Sequence, residues 1–310
     1  KLNIIRGISK FNRFPQGCAL TIGNFDGIHL GHRAILASVM AKGAESGIPT
    51  AVMTFDPQPR EYFAADQASP ARLTRFREKV SLLKTEGVSD VICLPFNEAL
   101  ASMSAHDFVK ELLVDGLNVQ HLVVGDDFRF GRGREGDFAM LESLGQQYGF
   151  EVVQTPVLDF GKERVSSSRI RVALEQSDFA LAESLLGRVY SMEGRVAHGD
   201  KRGRTIGFPT ANIFLHRDVS PVIGVYAVKV HGIEAEPVTG VANIGTRPTI
   251  DGTRSLLEVH LFNFAREIYG AHVRVEFFHK LRDEKKFESF DMLKQQIDRD
   301  AQAARDYFNN

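Results

Sequence analysis

The 310-residue chain has no tryptophan, only two cysteines, no surplus of either charge and no long apolar run. Each shortage excludes something. Cys18 and Cys93 lie in apolar, strand-like settings and make no CxxC pair, no metal-ligand spacing and no disulfide framework. No apolar stretch nears the roughly 20 residues that cross a bilayer, the longest candidates, such as 119–125, being strand-length, so no membrane span is expected. Lys and Arg total 38 against 39 Asp and Glu, split as 20 and 23 up to residue 184 and 18 and 16 beyond it. Neither half is a polyelectrolyte, so neither a nucleic-acid surface nor a membrane surface is expected. Residues 1–8 lack the apolar core of a signal peptide, which points to the cytoplasm.

What is present is the composition of a globular chain, 43% hydrophobic and 25% charged, in a length that exceeds one hydrophobic core. The first half alternates apolar runs at 18–23, 50–55, 88–94, 119–125 and 150–155 with helical patterns at 31–46, 72–86, 105–115 and 137–148. That rhythm predicts an α/β domain with a parallel sheet covered on both faces, whose ligands bind beyond the carboxyl ends of the strands. After a helical stretch at 178–186 the texture changes to short strands at 190–198, 225–231, 238–244, 256–262 and 273–279, closed by an amphipathic helix at 289–308. An antiparallel β domain, a barrel with a C-terminal helix, is expected there. The domain boundary is expected at 184/185.

Two stretches carry chemistry in the first half. TIGNFDGIHLGH, residues 21–32, leaves the first strand and enters the first helix. Its glycines let the backbone approach a ligand, and the helix start offers unpaired N–H groups and a positive dipole end to an anion. His29 and His32, one helical turn apart, can aim both imidazoles at one phosphate. The plain alternative is a pair of histidines capping a helix. VSSSRIR, residues 165–171, offers Ser167, Ser168 and Arg171 to further phosphate oxygens. The two stretches resemble the HxGH and ISSTxIR signatures of nucleotidyltransferases, with Ser168 where threonine is usual. The loops after 55 and 125, TFDPQP and GDDFRFGRGREG, interleave aromatics, acids and arginines. Phe55, Phe128 and Phe130 either line a flat-ring pocket or belong to a core that draws on 23 phenylalanines.

In the second half, 199–212 combines Lys201, Arg202, Gly203, Arg204 and Gly207 in a basic loop suited to polyphosphate, followed by the hard oxygen donors Thr210 and Asn212. A solvated basic turn is the plain alternative. Glu258 stands on an otherwise apolar strand and is either paired structurally, with Arg254 or Arg274, or poised as a base. NIGTRPT, residues 243–249, is a further loop of the kind that frames a ligand.

Taken together, TIGNFDGIHLGH, TFDPQP, GDDFRFGRGREG, VSSSRIR, GRTIGFPTAN, GVYAV, NIGTRPT and LLEVHLF resemble the bifunctional bacterial riboflavin kinase/FMN adenylyltransferase family, over essentially the whole chain. The resemblance implies a Rossmann-like nucleotidyltransferase domain over 1–184 and a six-stranded riboflavin kinase barrel over 185–310. It implies that riboflavin and ATP give FMN, and that FMN and a second ATP give FAD, with Mg²⁺. His29, His32 and Glu258 would be catalytic. Gly23, Asn24, Phe25, Asp26, Ser167, Ser168 and Arg171 would hold ATP at the first site, and Phe55, Asp127, Phe128 and Arg164 would hold FMN. Gly203, Arg204, Gly207, Thr210 and Asn212 would hold ATP at the second, Thr210 and Asn212 also touching the metal. Partners beyond these small molecules would be limited to weak self-association. A different HxGH transferase leaves PTAN and Glu258 unexplained, and a non-catalytic flavin sensor leaves both histidines unexplained.

Overall fold

Runs in which every residue is buried can exist only as strands covered on both sides, and three of them anchor the first unit. The structure, a computed structural model, describes residues 1–8, 13–64, 68–198, 209–250 and 252–309. The strands β1 (Asn3–Arg6), β2 (Cys18–Ile22), β3 (Thr50–Phe55), β4 (Asp90–Leu94), β5 (Val119–Gly125) and β6 (Glu151–Thr155) form one parallel sheet in the order β1-β4-β3-β2-β5-β6. Side chains alternate between its faces. Leu20, Met53 and Leu122 pack with Leu113 and Leu141 on one side, and Val52 and Val91 with Leu36 and Leu83 on the other. Strand order reverses between β2 and β5, and the crevice outside their carboxyl ends is where such sheets bind ligands.

The covering helices are α1 (Leu30–Ser46), α2 (Pro59–Phe63), α3 (Phe76–Thr85), α4 (Glu98–Ala101), α5 (Ala105–Asp107) and α6 (Phe138–Tyr148), with α5 continuing as a π-helix over Phe108–Gly116. A two-stranded hairpin, β7 (Asp159–Phe160) with β8 (Glu163–Arg164), follows the sheet. Sequence patterning did not indicate β1, which has one buried residue in four, nor this two-residue hairpin.

Two compact units result: Lys1–Pro70 with Thr74–Ser167, and Ala71–Leu73 with Ser168–Asn310. The second begins with α7 (Ser167–Glu175) and α8 (Phe179–Leu186). Its segment Ala71–Leu73 is held by side chains of the same unit: Arg171 Nε donates to Ala71 O at 2.7 Å, and Tyr190 Oη and Arg217 Nη2 donate to Leu73 O at 2.9 and 3.0 Å. Six antiparallel strands, β9 (Ser191–Ala197), β10 (Ala211–Phe214), β11 (Gly224–His231), β12 (Val238–Thr249), β13 (Gly252–Leu261) and β14 (His272–Arg282), close into a barrel in the order β10-β13-β12-β11-β14-β9. Five of these match the short strand-like segments of the sequence, two of them marked by period-two alternation; the sixth, β10, lies inside a stretch read as loop. At Gly240 a Cβ would stand 2.4 Å from His260 O, so only glycine allows β12 to pair there. The long helix α9 (Phe290–Asn309) packs Ala301, Ala304 and Phe308 against Val225, Ala227 and Val241 on the barrel wall. Among the described residues no helix is long and apolar enough to cross a membrane.

Candidate active sites

The loop after β2 reaches α1 through left-handed backbone at Phe25, Gly27 and Ile28 (φ 48°, 93° and 45°). The Phe25 and Ile28 side chains fill the core beneath the loop, which leaves Phe25 only its backbone for a ligand. The buried Asp26 carboxylate accepts from Thr74 N at 3.0 Å, and Thr74 Oγ1 accepts from Gly27 N at 3.0 Å. Ser167 Oγ donates to Asp26 O at 2.7 Å, tying the start of the second motif to the first. Asn24 O accepts from Thr54 Oγ1, which in turn accepts from the buried Lys79 ammonium. Nothing in the sequence singled out Lys79, whose position on a helix gave no hint of burial.

The plain alternative for the histidines, a helix cap, is what the structure shows. His29 caps α1 by accepting at Nδ1 from His32 N (3.2 Å), and His32 accepts at Nδ1 from His29 N (3.3 Å). Their rings stack at 3.5 Å between centroids. An Nδ1 that accepts leaves the proton of each neutral ring on Nε2, so both imidazoles present an N–H donor from a helix start. A Cβ at Gly31 would stand 3.0 Å from His29 Cε1, so any side chain there would crowd the His29 ring.

Across the crevice, Arg164 of β8 donates two hydrogen bonds to Asp126 (2.8 and 3.1 Å) and lies 3.3 Å from the Asp127 carboxylate. Phe130 is core, stacked on Phe128 and tilted against Phe108, whereas Phe128 and Phe55 are only partly buried. Phe55 also meets Phe96 edge-on at 5.8 Å, and Phe96 meets Tyr62 and the exposed Phe63. Phe96, Tyr62 and Phe63 were missed, because an aromatic cluster drawn from α2 and the loop after β4 has no linear signature. Ser168 and Arg171 belong to the second unit, whose boundary cuts the VSSSRIR motif.

The second unit holds a cavity of about 550 Å³ on the outer barrel wall, lined by Thr210, Asn212 and Glu258 among others. Strand alternation explains the arrangement. In β13, Ser255, Leu257, Val259 and Leu261 are buried, while Leu256, Glu258 and His260 face the cavity. Pairing aligns Asn212 with Glu258, Glu258 with Asn243 and Asn243 with Val225. A carboxylate thus sits between two amides in one row across three strands. Among the described residues its ion-pair partner is Arg247, at 3.6 Å, rather than Arg254 or Arg274, and its side chain is 38% exposed. Glu258 is therefore open to a ligand and not a buried charge among apolar neighbours. On the opposite wall Arg282 donates to Asp300 of α9 through three hydrogen bonds of 2.8 to 3.1 Å. Gly203, Arg204 and Gly207, with the rest of the basic loop, lie outside the described residues.

Comparison with known proteins agrees with this division. Residues 11–169 match the family model described as FAD synthetase and residues 186–308 the model described as riboflavin kinase. The chain is 52% identical to the bifunctional riboflavin kinase/FMN adenylyltransferase of Escherichia coli (strain K12), over 99% of this chain and 98% of that protein. It is 51% identical to the protein of the same name from Haemophilus influenzae, over 100% of both, and 47% identical to that of Pseudomonas fluorescens, over 98% and 97%. A solved structure described as a macrolide-efflux protein from Streptococcus pneumoniae superposes with a TM-score of 0.81 at 32% identity, covering 98% of this chain and 99% of that one.

Proposed function

The chain belongs to the bifunctional riboflavin kinase/FMN adenylyltransferase family, and from that membership we propose how its own residues divide the work. The C-terminal domain phosphorylates riboflavin with ATP to give FMN and ADP. The N-terminal domain then transfers the adenylyl group of ATP to FMN, giving FAD and pyrophosphate. The division of labour runs at 184/185.

In the kinase step the nucleophile is the riboflavin 5′-hydroxyl, which is protonated at neutral pH and needs a base. Glu258, half-exposed in the cavity and flanked by Asn212 and Asn243, takes that proton. The row Asn212–Glu258–Asn243, opening on one cavity, is the observation that carries this assignment. Thr210 and Asn212 supply neutral oxygen donors beside the single carboxylate. So sparse a set suits Mg²⁺ that arrives on the nucleotide and keeps its phosphate and water ligands, and it would not build a resident metal cage. The ion, when bound, neutralises charge between the β- and γ-phosphates. Gly203, Arg204 and Gly207 cover the phosphates in this reading.

In the adenylyl step the nucleophile is the FMN phosphate, whose second pKa is about 6, so it is already an anion and needs no base. Positioning and charge neutralisation suffice. The Nε2–H donors of His29 and His32 meet the phosphate under attack, together with the α1 helix start and the Gly23–Asn24 backbone. Ser167, Ser168 and Arg171 hold the departing phosphates. The Asp26 carboxylate shapes the loop through Thr74, and Phe25 contributes only its backbone. FMN lies toward Phe55, Asp127, Phe128 and Arg164. Cys18 and Cys93 are buried and outside any disulfide, which suits a reducing compartment, the cytoplasm.

The experiment is a chromatographic time course with riboflavin, ATP and Mg²⁺. FMN should rise and give way to FAD; Glu258→Ala should stop the first reaction only, and His29→Ala the second only. Loss of both reactions in either folded variant would refute the two-site assignment.

A further inference from the structure

Beyond the row that holds Glu258, the same face of the β12–β13 hairpin carries a feature that neither reaction step has used. Two registers along, Gly245 faces Leu256, and two further, Arg247 faces Arg254. Directly paired residues share a face with their Cβ atoms roughly 5 Å apart, and like charges so placed repel. Both arginines line the cavity. Neither is fully neutralised. The Arg254 guanidinium lies 4.7 Å over the Phe214 ring, a contact that orients it without cancelling its charge. Arg247 stands 3.6 Å from Glu258, longer than the roughly 2.8 Å of a charge-assisted hydrogen bond, with both side chains solvent-exposed. Among the described residues around the cavity, Arg247, Arg254, Arg282 and Lys285 stand against Glu258 and Asp300, with the Glu284 carboxylate over Gly245 between the two rows, and Arg282 is taken up by Asp300. A neutral riboflavin ring gives this excess of positive charge nothing to bind.

We propose that Arg247 and Arg254 form an anion subsite for phosphoryl oxygens in the kinase cavity, and that Arg247 leaves Glu258 when the subsite fills. The inference rests on the kinase reading of this cavity. Two arginines one strand apart can grip separate oxygens of one phosphoryl group. Moving Arg247 onto that group takes its guanidinium away from the Glu258 carboxylate it faces and leaves that oxygen to the substrate hydroxyl. The phosphoryl group belongs either to the donor nucleotide, before transfer, or to FMN, after it.

The test uses full-length Arg247→Gln and Arg254→Gln proteins. Flavin fluorescence reads the binding of riboflavin and of FMN, steady-state kinetics read KM for ATP and kcat, and adenylyl transfer to supplied FMN checks that each variant is folded. We expect FMN affinity at the kinase site, or KM for ATP, to worsen about tenfold in both variants with riboflavin affinity unchanged. A change in FMN affinity assigns the subsite to the product phosphate, and a change in KM for ATP assigns it to the donor. If the parent protein forms FMN but all three ligand constants stay within twofold in both variants, the subsite is wrong. A fall in kcat alone for Arg247→Gln would reduce that residue to positioning Glu258 and would equally overturn it. A parent that forms no FMN would instead remove the kinase reading itself.

Discussion

Removing the Asp300 carboxylate should loosen α9 from the barrel and disable the kinase while sparing adenylyl transfer. Asp300 is 7% exposed and receives three hydrogen bonds from Arg282, with a fourth from Gln296 at 3.0 Å. Truncating one partner of a buried pair costs roughly 3–5 kcal/mol, because the other charge stays behind without compensation. Arg282 is 22% exposed, so water recovers part of that cost and the lower end, about 3 kcal/mol, applies to Asp300→Ala. With a urea slope of about 2 kcal/mol per M, the midpoint for loss of riboflavin phosphorylation should fall by about 1.5 M. Hydrogen exchange over residues 290–309 should lose about a hundredfold in protection. Leu293, Ile297 and Asp300 of α9 line the cavity proposed as the kinase site, so riboflavin KM should rise as well. Replacing both partners by apolar residues, Arg282→Met with Asp300→Leu, should recover most of the stability, since no charge is then stranded. A midpoint for Asp300→Ala within 0.3 M of the parent (about 0.6 kcal/mol at that slope), or a double variant no better than the single, would refute the reasoning.

Other outcomes follow from the same structure. His29→Ala should reduce adenylyl transfer by about a hundredfold or more, through loss of an aligned donor, and cost about 1 kcal/mol of helix capping, with FMN formation intact on the same chromatogram. Asp126→Ala should raise KM for FMN severalfold in the adenylyl step by freeing Arg164, yet change stability by less than about 1 kcal/mol because both groups are exposed; an unchanged KM would separate that pair from the FMN site. Burial pushes the Cys18 thiol from 9.0 up to about 12 and the Tyr226 phenol from 10.0 up to about 12. Raised pKa values give stability that is whole below the unfolded value and lost as pH climbs toward the folded one. Thermal unfolding should therefore be unaffected by these groups at pH 8 and fall between about pH 9 and 12, by up to about 4 kcal/mol from Cys18 and about 3 from Tyr226. A Tm that stays flat to pH 11 would contradict it.

Much of this architecture was legible because its signals are local. Fully apolar strands announced a covered parallel sheet, and two histidines around a glycine announced a helix start that could seat an anion. The misses have a common physical form. β10 is four residues long and its outward positions Asn212 and Phe214 serve a cavity, so alternation was too short to register against the Gly and Pro beside it. Arg247 meets Glu258 by reaching along the β12–β13 hairpin, whose register pairs it with Arg254, and no linear pattern distinguishes it from Arg254 or Arg274. The aromatic group around Phe96 likewise joins residues from separate loops.

On the proposed assignment the two sites differ in how they prepare a nucleophile, and the secondary structure beneath each suits that difference. An alcohol needs a base whose position is fixed to within a few tenths of an ångström, and a barrel strand with neighbours on both sides supplies it: Glu258 is locked in register between Asn212 and Asn243. An anionic phosphate needs donors and positive potential, and a helix start supplies both in one place. There the reciprocal cap does double duty, since the hydrogen bonds that fix the start of α1 also hold both imidazoles as Nε2–H donors. Exchanging the two solutions would fail on physical grounds. A carboxylate at the helix start would repel the incoming phosphate, and paired imidazoles on the barrel row would leave the 5′-hydroxyl facing Nε2 protons instead of a lone pair that can accept its own.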